Sequence, residues 1–429
     1  MSVIKEISTD DLKKHVQLKQ AKIVDVRSAD AYNGWRMKGE KRGGHIQGAR
    51  SLPAIWTNDS KWIDTVHRKN ISPDEELIIY GYTKEDAEKT AFVFQEHGYK
   101  KIYLYNSFME EWVVNEKLPM DYLPNYRHLV PAEWVKQLIA GTKPQHYGNN
   151  KFVVIHAHYR NREAYLSGHI PGAIDMDTLA LETPDTWNRR SPDELKEALE
   201  AHGITADTTV VLYGKYMYPD NADEFPGRSA GDIGAMRNAL ILMYAGVKDV
   251  RILNGGFKAW EDASFQVDTD DVVKNLSADF GAGIPQKPEL IVDIEQAKKM
   301  LASTDAELVS VRSYPEYIGE VSGYNYIEVK GRIPGAIFAD GGSDAYHMEN
   351  YRNVDHTVRE YHETEQLWRN NGITPDKHLA FYCGTGWRAS EAWFNAWLMA
   401  WPHISVFDGG WFEWSSDPDN PIETGIPEK

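Results

Sequence analysis

The chain has one cysteine, Cys383, in 429 residues. One thiol cannot form an intrachain disulfide, and a Cys-rich zinc site is excluded. The fifteen histidines show no HExxH and no paired ligand spacing. No apolar run approaches the roughly 20 residues that span a bilayer. The opening MSVIKEISTDDLKKHV lacks the apolar stretch of a signal peptide. As written, the chain is expected in the cytoplasm; a leader already removed would leave the periplasm open. Neither GxxxxGK[ST] nor a post-strand GxGxxG is present, so nucleotide cofactors lack support. The formal net charge is −17 and no long basic stripe is present. Duplex binding needs clustered cations to neutralise phosphates. Neither nucleic acid nor membrane is an expected partner.

What the chain does have is a threefold internal repeat. Asp25-Val26-Arg27 is followed by Tyr32, His158-Tyr159-Arg160 by Tyr165, and Ser310-Val311-Arg312 by Tyr317. The tyrosine stands five residues after the arginine each time. A Gly-rich turn then recurs as Gly44-His45-Ile46-Gln47-Gly48-Ala49, Gly168-His169-Ile170-Pro171-Gly172-Ala173 and Gly331-Arg332-Ile333-Pro334-Gly335-Ala336. An apolar strand entering a loop recurs at Leu77–Tyr80, Val210–Tyr213 and Leu379–Tyr382. From Gly81 to Asn106 and from Cys383 to Asp408 is 25 residues, and from Gly214 to Asn254 is 40. The surplus falls near Tyr218 to Asp232, a Pro/Gly/Asp-rich stretch expected to be a surface loop.

A length of 429 residues predicts two or three domains. Alternating strands and amphipathic helices predict parallel sheets covered on both faces. The expected domains are 1–124, 125–280 and 281–429. In such sheets, ligands bind beyond the carboxyl ends of strands, where helix N-termini point. Only the third loop carries a nucleophile: Cys383-Gly384-Thr385-Gly386-Trp387-Arg388. There a thiolate would feel aimed amides, the positive helix end and a fixed cation. Gly384 and Gly386 let the backbone bend around the sulfur. Loop one has no thiol and an acid, Asp86, where Arg388 falls. Loop two opens Gly214-Lys215-Tyr216-Met217 and also lacks a thiol. Neither can perform nucleophilic sulfur chemistry.

Strand, DxR, GHIPGA-like turn, strand and Cys loop together resemble the rhodanese domain. Three in tandem cover nearly the whole chain. FYCGTGWRASE followed by VFDGGWFEW is similar to the three-domain thiosulfate sulfurtransferases. The resemblance implies an α/β fold with a five-stranded parallel sheet per repeat, the first two repeats inactive and the third catalytic. It implies that Cys383 takes a sulfane sulfur from thiosulfate, releases sulfite, and passes the persulfide to cyanide or another thiol, with no metal or organic cofactor. Carried over by position, the amides of Gly384, Thr385, Gly386, Trp387 and Arg388 cradle the substrate. The Arg388 side chain binds the anionic end of the donor or braces the loop.

The pattern breaks in three places. Ser310 stands where the DxR aspartate usually falls. Arg332 replaces the usual histidine, read as a surface substitution without consequence. The insert Gly319 to Lys330 is expected near the active face, with Tyr324 and Tyr326 as substrate-contact candidates, although packing is the commoner use of tyrosine. Trp411 and Trp414 are expected in the core rather than capping the cleft. Arg228 and Arg237 are expected to be solvated rather than to attract an anion. The acidic Asp220, Asp223 and Glu224 are expected to be solvated rather than to dock a partner.

A Cys-based phosphatase or arsenate reductase is the nearest enzymatic rival. It needs a wider Cys-x5-Arg loop, and the spacing here is Cys-x4-Arg. A persulfide relay from a cysteine desulfurase to a sulfur-carrier protein uses the same Cys383, and the residues do not separate it from thiosulfate chemistry. A scaffold with an incidental thiol is the non-enzymatic rival. Three tandem domains are expected to make a self-sufficient monomer.

Overall fold

The computed structural model describes residues 4–217 and 222–427. Three five-stranded parallel sheets follow one another along the chain. In each, the first strand pairs with the fifth, then come the fourth, second and third. The fourth, central strands are Glu76–Tyr80, Thr209–Gly214 and His378–Tyr382. All three are buried along nearly their whole length, which is why they read as continuous apolar runs. The chain forms two compact units, 1–127 and 128–429. The first unit holds one of these five-stranded sheets and the second holds two. No helix among the described residues is long and apolar enough to cross a membrane.

The recurring tyrosines have a shared physical cause. The hydroxyls of Tyr32, Tyr165 and Tyr317 donate to the carbonyls of Ala49, Ala173 and Ala336, the last residue of each Gly-rich turn. The tyrosine ending the central strand pins the same turn: Ile46 N–H donates to Tyr80 and Ile170 N–H to Tyr213. The turn histidines His45 and His169 stack on Tyr32 and Tyr165 at 3.7 and 4.0 Å. In repeat three Arg332 takes that place, 4.8 Å over the Tyr317 ring. It is buried, not a surface substitution. It donates to the Gly425 carbonyl at 2.7 Å and pairs with Glu423 at 3.2 Å, tying the C-terminal segment to the sheet.

The helices after the second and third central strands, Gly231–Ala245 and Trp387–Leu398, pack on each other. Every residue of Gly231–Ala245 is buried. A helix buried all round needs cover on all sides; the second sheet supplies it on one side and the helix Trp387–Leu398 on another. The surface loop expected near Tyr218 to Asp232 is only partly one. Tyr218 to Asn221, including Asp220, lie outside the described residues, but Pro226–Ser229 form a 3-10 turn whose Pro226 and Ser229 are buried.

Candidate active site

Cys383 follows the central strand His378–Tyr382 and is fully buried. The N–H groups of Trp411 and Phe412 take the Cys383 and Gly384 carbonyls at 2.8 and 3.0 Å. The loop is thereby held from the helix Gly410–Ser416. None of the backbone N–H groups of Gly384 to Arg388 finds an acceptor among the described residues. Orphan amides converging at a helix start attract negative charge. Gly386 lies at φ +89 and Gly410 at +53, conformations that favour glycine. The tight turn behind the sulfur requires both.

Arg388 is buried and its charge is matched. Its two terminal nitrogens donate to the two oxygens of Glu316, both at 2.9 Å. It also donates to the Tyr324 hydroxyl at 2.8 Å and the Asp344 carbonyl at 3.0 Å. Glu316 accepts from Arg312 as well, at 3.3 Å. This accounts for Ser310. In repeat one Arg27 pairs with Asp25, two residues before it, at 2.6 Å. In repeat three the aspartate is gone and the arginine turns to Glu316 instead. Burial alone would raise the Glu316 carboxyl, but Arg388 and Arg312 bring it down to about 2. Glu316 is a residue that sequence reasoning missed; its only trace was its place four residues after Arg312.

The insert Gly319 to Lys330 lies over the loop. A Cβ on Gly384 would sit 2.2 Å from the Tyr324 ring, so ring and loop are in tight contact. Burial, with help from the Cys383 and Glu316 charges, raises the Tyr324 phenol well above its ordinary value, against Arg388. It therefore stays protonated. Trp411 and Trp414 are core residues, as expected, with indole N–H groups donating to the Val329 and Pro421 carbonyls.

A cavity of about 310 Å³ opens beside the loop. Thr385, Trp387, Arg388, Tyr324 and Tyr346 line it from repeat three, and Tyr159, Trp187, Phe225 and Ile233 from repeat two. Tyr324 and Tyr326 thus both face it, whereas Trp187, Phe225 and Tyr346 carried no sequence signal. Repeat two also grips the loop from behind. The Trp387 indole donates to Glu182 at 2.9 Å. Arg237 donates to Glu182 at 3.0 Å and to Asp408 at 2.6 Å. Arg237 is fully buried, which corrects the expectation of a solvated side chain; its charge partners stand 55 and 171 residues away. Arg228 is half-exposed and faces Asp223 at 3.5 Å. Burial pushes Glu182 up to about 7 despite Arg237.

The rhodanese-like domain model matches residues 8–115, 132–263 and 293–417. The chain is 39% identical to the thiosulfate sulfurtransferase YnjE of Escherichia coli K12, over 96% of this chain and 90% of that one. It is 64% identical to EanB. A complex of an EanB variant with hercynine superposes with a TM-score of 0.98 over 99% of both chains. An EanB variant with a cysteine persulfide in a tetrahedral intermediate state with ergothioneine gives 0.97, over 99% of this chain and 100% of that one. Other EanB structures alter a tyrosine 59 positions before that cysteine and a threonine two positions after it. The same spacings from Cys383 fall on Tyr324 and Thr385. Three domain matches in one chain, with the thiol loop in the third, place this protein in the rhodanese-like family, and it is a sulfurtransferase of that family.

Proposed function

We propose that the chain moves a sulfane sulfur from a small anionic donor, thiosulfate, to the imidazole carbon of a histidine betaine such as hercynine, through a persulfide on Cys383. The observation that carries this reading is the cavity beside the loop. Its roughly 310 Å³ and seven aromatic side chains suit an organic acceptor of more than a dozen heavy atoms. Cyanide, the acceptor expected from the family resemblance, has two heavy atoms and needs no such space. The positions of Tyr324 and Thr385 relative to Cys383 support the same acceptor.

In the loading step the Cys383 thiolate attacks the outer sulfur of thiosulfate. The new S–S bond forms as the old one breaks, and sulfite leaves with the electron pair. The orphan amides of Gly384 to Arg388 stabilise the terminal persulfide charge. In the transfer step the imidazole carbon attacks the terminal sulfur. A C–S bond forms, the S–S electrons return to Cys383, and the carbon loses its proton. No oxidant is consumed. Tyr324, protonated and already accepting from Arg388, has its own O–H to give and is the proton relay for this exchange.

The test is direct. The protein, loaded with thiosulfate and given hercynine, should yield ergothioneine by mass spectrometry. No ergothioneine, with thiocyanate formed from thiosulfate and cyanide, would overturn the betaine acceptor in favour of the second reading, a thiosulfate:cyanide or thiol sulfurtransferase. The 39% identity to YnjE over 96% of the chain supports that alternative. Loading by a cysteine desulfurase but not by thiosulfate would identify a persulfide relay to a carrier protein.

A further inference from the structure

We propose that Tyr159, Trp187, Phe225 and Tyr326, with the Glu224 carboxylate, form a cage for the quaternary ammonium group of the acceptor. The inference rests on the betaine reading above and assigns the part of the site that selects for N-methylation. It starts from the charges in the cavity wall. Among the described lining residues only Glu224 and Arg388 are of the acidic or basic types. Arg388 is matched by Glu316, with both oxygens engaged at 2.9 Å. The Glu224 carboxylate is the lining charge with no opposite charge paired to it among the described residues.

The aromatic geometry agrees. Trp187 stacks on Tyr326 at 4.5 Å. The Trp187 indole donates to the Tyr159 hydroxyl at 3.3 Å. Tyr159 meets Phe225 edge to face at 6.4 Å. These contacts join four ring systems from two repeats around one space. Asn325 donates to the Glu224 carbonyl at 3.3 Å, fastening the acidic residue to the insert that carries Tyr326. The Arg160 guanidinium lies 4.4 Å from the Phe225 ring and 5.5 Å from the Tyr159 ring without itself lining the cavity, so both rings already carry a cation on the side away from it. Trp187 sits at φ +56, unusual for a bulky side chain. Its carbonyl is held by Arg237 at 2.8 Å. Such strain persists where surrounding structure fixes it, and it collects at ligand clamps. Aromatic faces carry negative quadrupole density, and a desolvated cation over them gains roughly 2 kcal/mol, about a thirtyfold preference. A trimethylammonium group adds apolar surface that a hydrated ammonium lacks.

The test uses the full chain and a pair of isosteres. Choline and its neutral carbon analogue 3,3-dimethylbutan-1-ol have the same shape and differ by the charge. Titration followed by tryptophan fluorescence should show choline binding at least tenfold tighter. Phe225→Leu and Glu224→Gln should each remove most of that difference. With sulfur transfer as readout, both variants should raise KM for hercynine about tenfold with kcat little changed. The KM for unmethylated histidine should rise less than that for hercynine. Equal affinity for the two isosteres would overturn the cage, as would equal KM increases for hercynine and histidine. If hercynine is not a substrate at all, the isostere titration still decides the cage by itself, so the two failures are distinguishable.

Discussion

Glu316 satisfies two buried arginines with a single carboxylate, and Arg388 then orients the Tyr324 phenol. Removing the charge leaves both guanidiniums desolvated and unmatched, which is the costly way to break a buried pair. Glu316→Gln should lose about 3 kcal/mol of stability in denaturant unfolding. It should also lower the rate of sulfur transfer more than the extent of sulfur loading, because the relay loses its anchor while the thiol stays. The sign with pH follows from the depressed carboxyl. Its folded value, about 2, lies below the unfolded one, so its stabilisation is full above the ordinary carboxylate range. It is lost as pH falls toward about 2. Acid unfolding over that window should be steeper in the wild type than in Glu316→Gln. Tyr324→Phe, which keeps the ring against Gly384, should still accept sulfur but transfer it at least tenfold more slowly. Unchanged transfer would remove Tyr324 from the proton path.

The strand–loop–helix element is where sequence and structure agree most closely. Apolar runs ending in tyrosine marked the three central strands because both faces of a parallel sheet are buried, and a glycine-flanked thiol at such a strand end is a rare local pattern. The insert over the loop was legible as an insertion, and its two tyrosines as candidates. Its path was not, since nothing local says that the Tyr324 ring closes against Gly384. That contact makes a sharp prediction. Gly384→Ala would place a methyl 2.2 Å from the Tyr324 ring and must push the insert away, so transfer should fall at least tenfold. Gly335→Ala is the control: its φ is +76 but nothing lies within 4 Å. It should cost only about 1–2 kcal/mol of backbone strain and leave turnover intact. Similar kinetic losses in both variants would mean that the Tyr324 contact does not matter.

At the scale of the whole molecule, the site belongs to two repeats. Repeat three supplies the thiol and its loop; repeat two supplies Trp187, Phe225 and the Glu182–Arg237 grip. This is where sequence reading failed. Arg237 looked like a solvated cation because its partners, Glu182 and Asp408, are remote in the chain, and a buried charge is recognised only by its partners. The aromatic wall was hidden for the same reason: its rings converge from segments more than a hundred residues apart. The fold was legible because repetition printed each element three times. All residues lining the cavity come from the second compact unit. A fragment of residues 128–429 should therefore still load sulfur on Cys383, and a fragment that folds but does not load would assign residues 1–127 a part in the site. Arg237→Met should destabilise the second unit by about 3–5 kcal/mol, since it leaves the buried Glu182 without a cation and Asp408 with Arg189 alone. The most direct measurement of the central claim is a single turnover followed by intact mass. Protein treated with thiosulfate should gain the mass of one sulfur atom, lose it on addition of hercynine, and return an equal amount of ergothioneine, and Cys383→Ser should do none of these. A sulfur adduct that persists through hercynine, or one that forms equally in Cys383→Ser, would contradict the account.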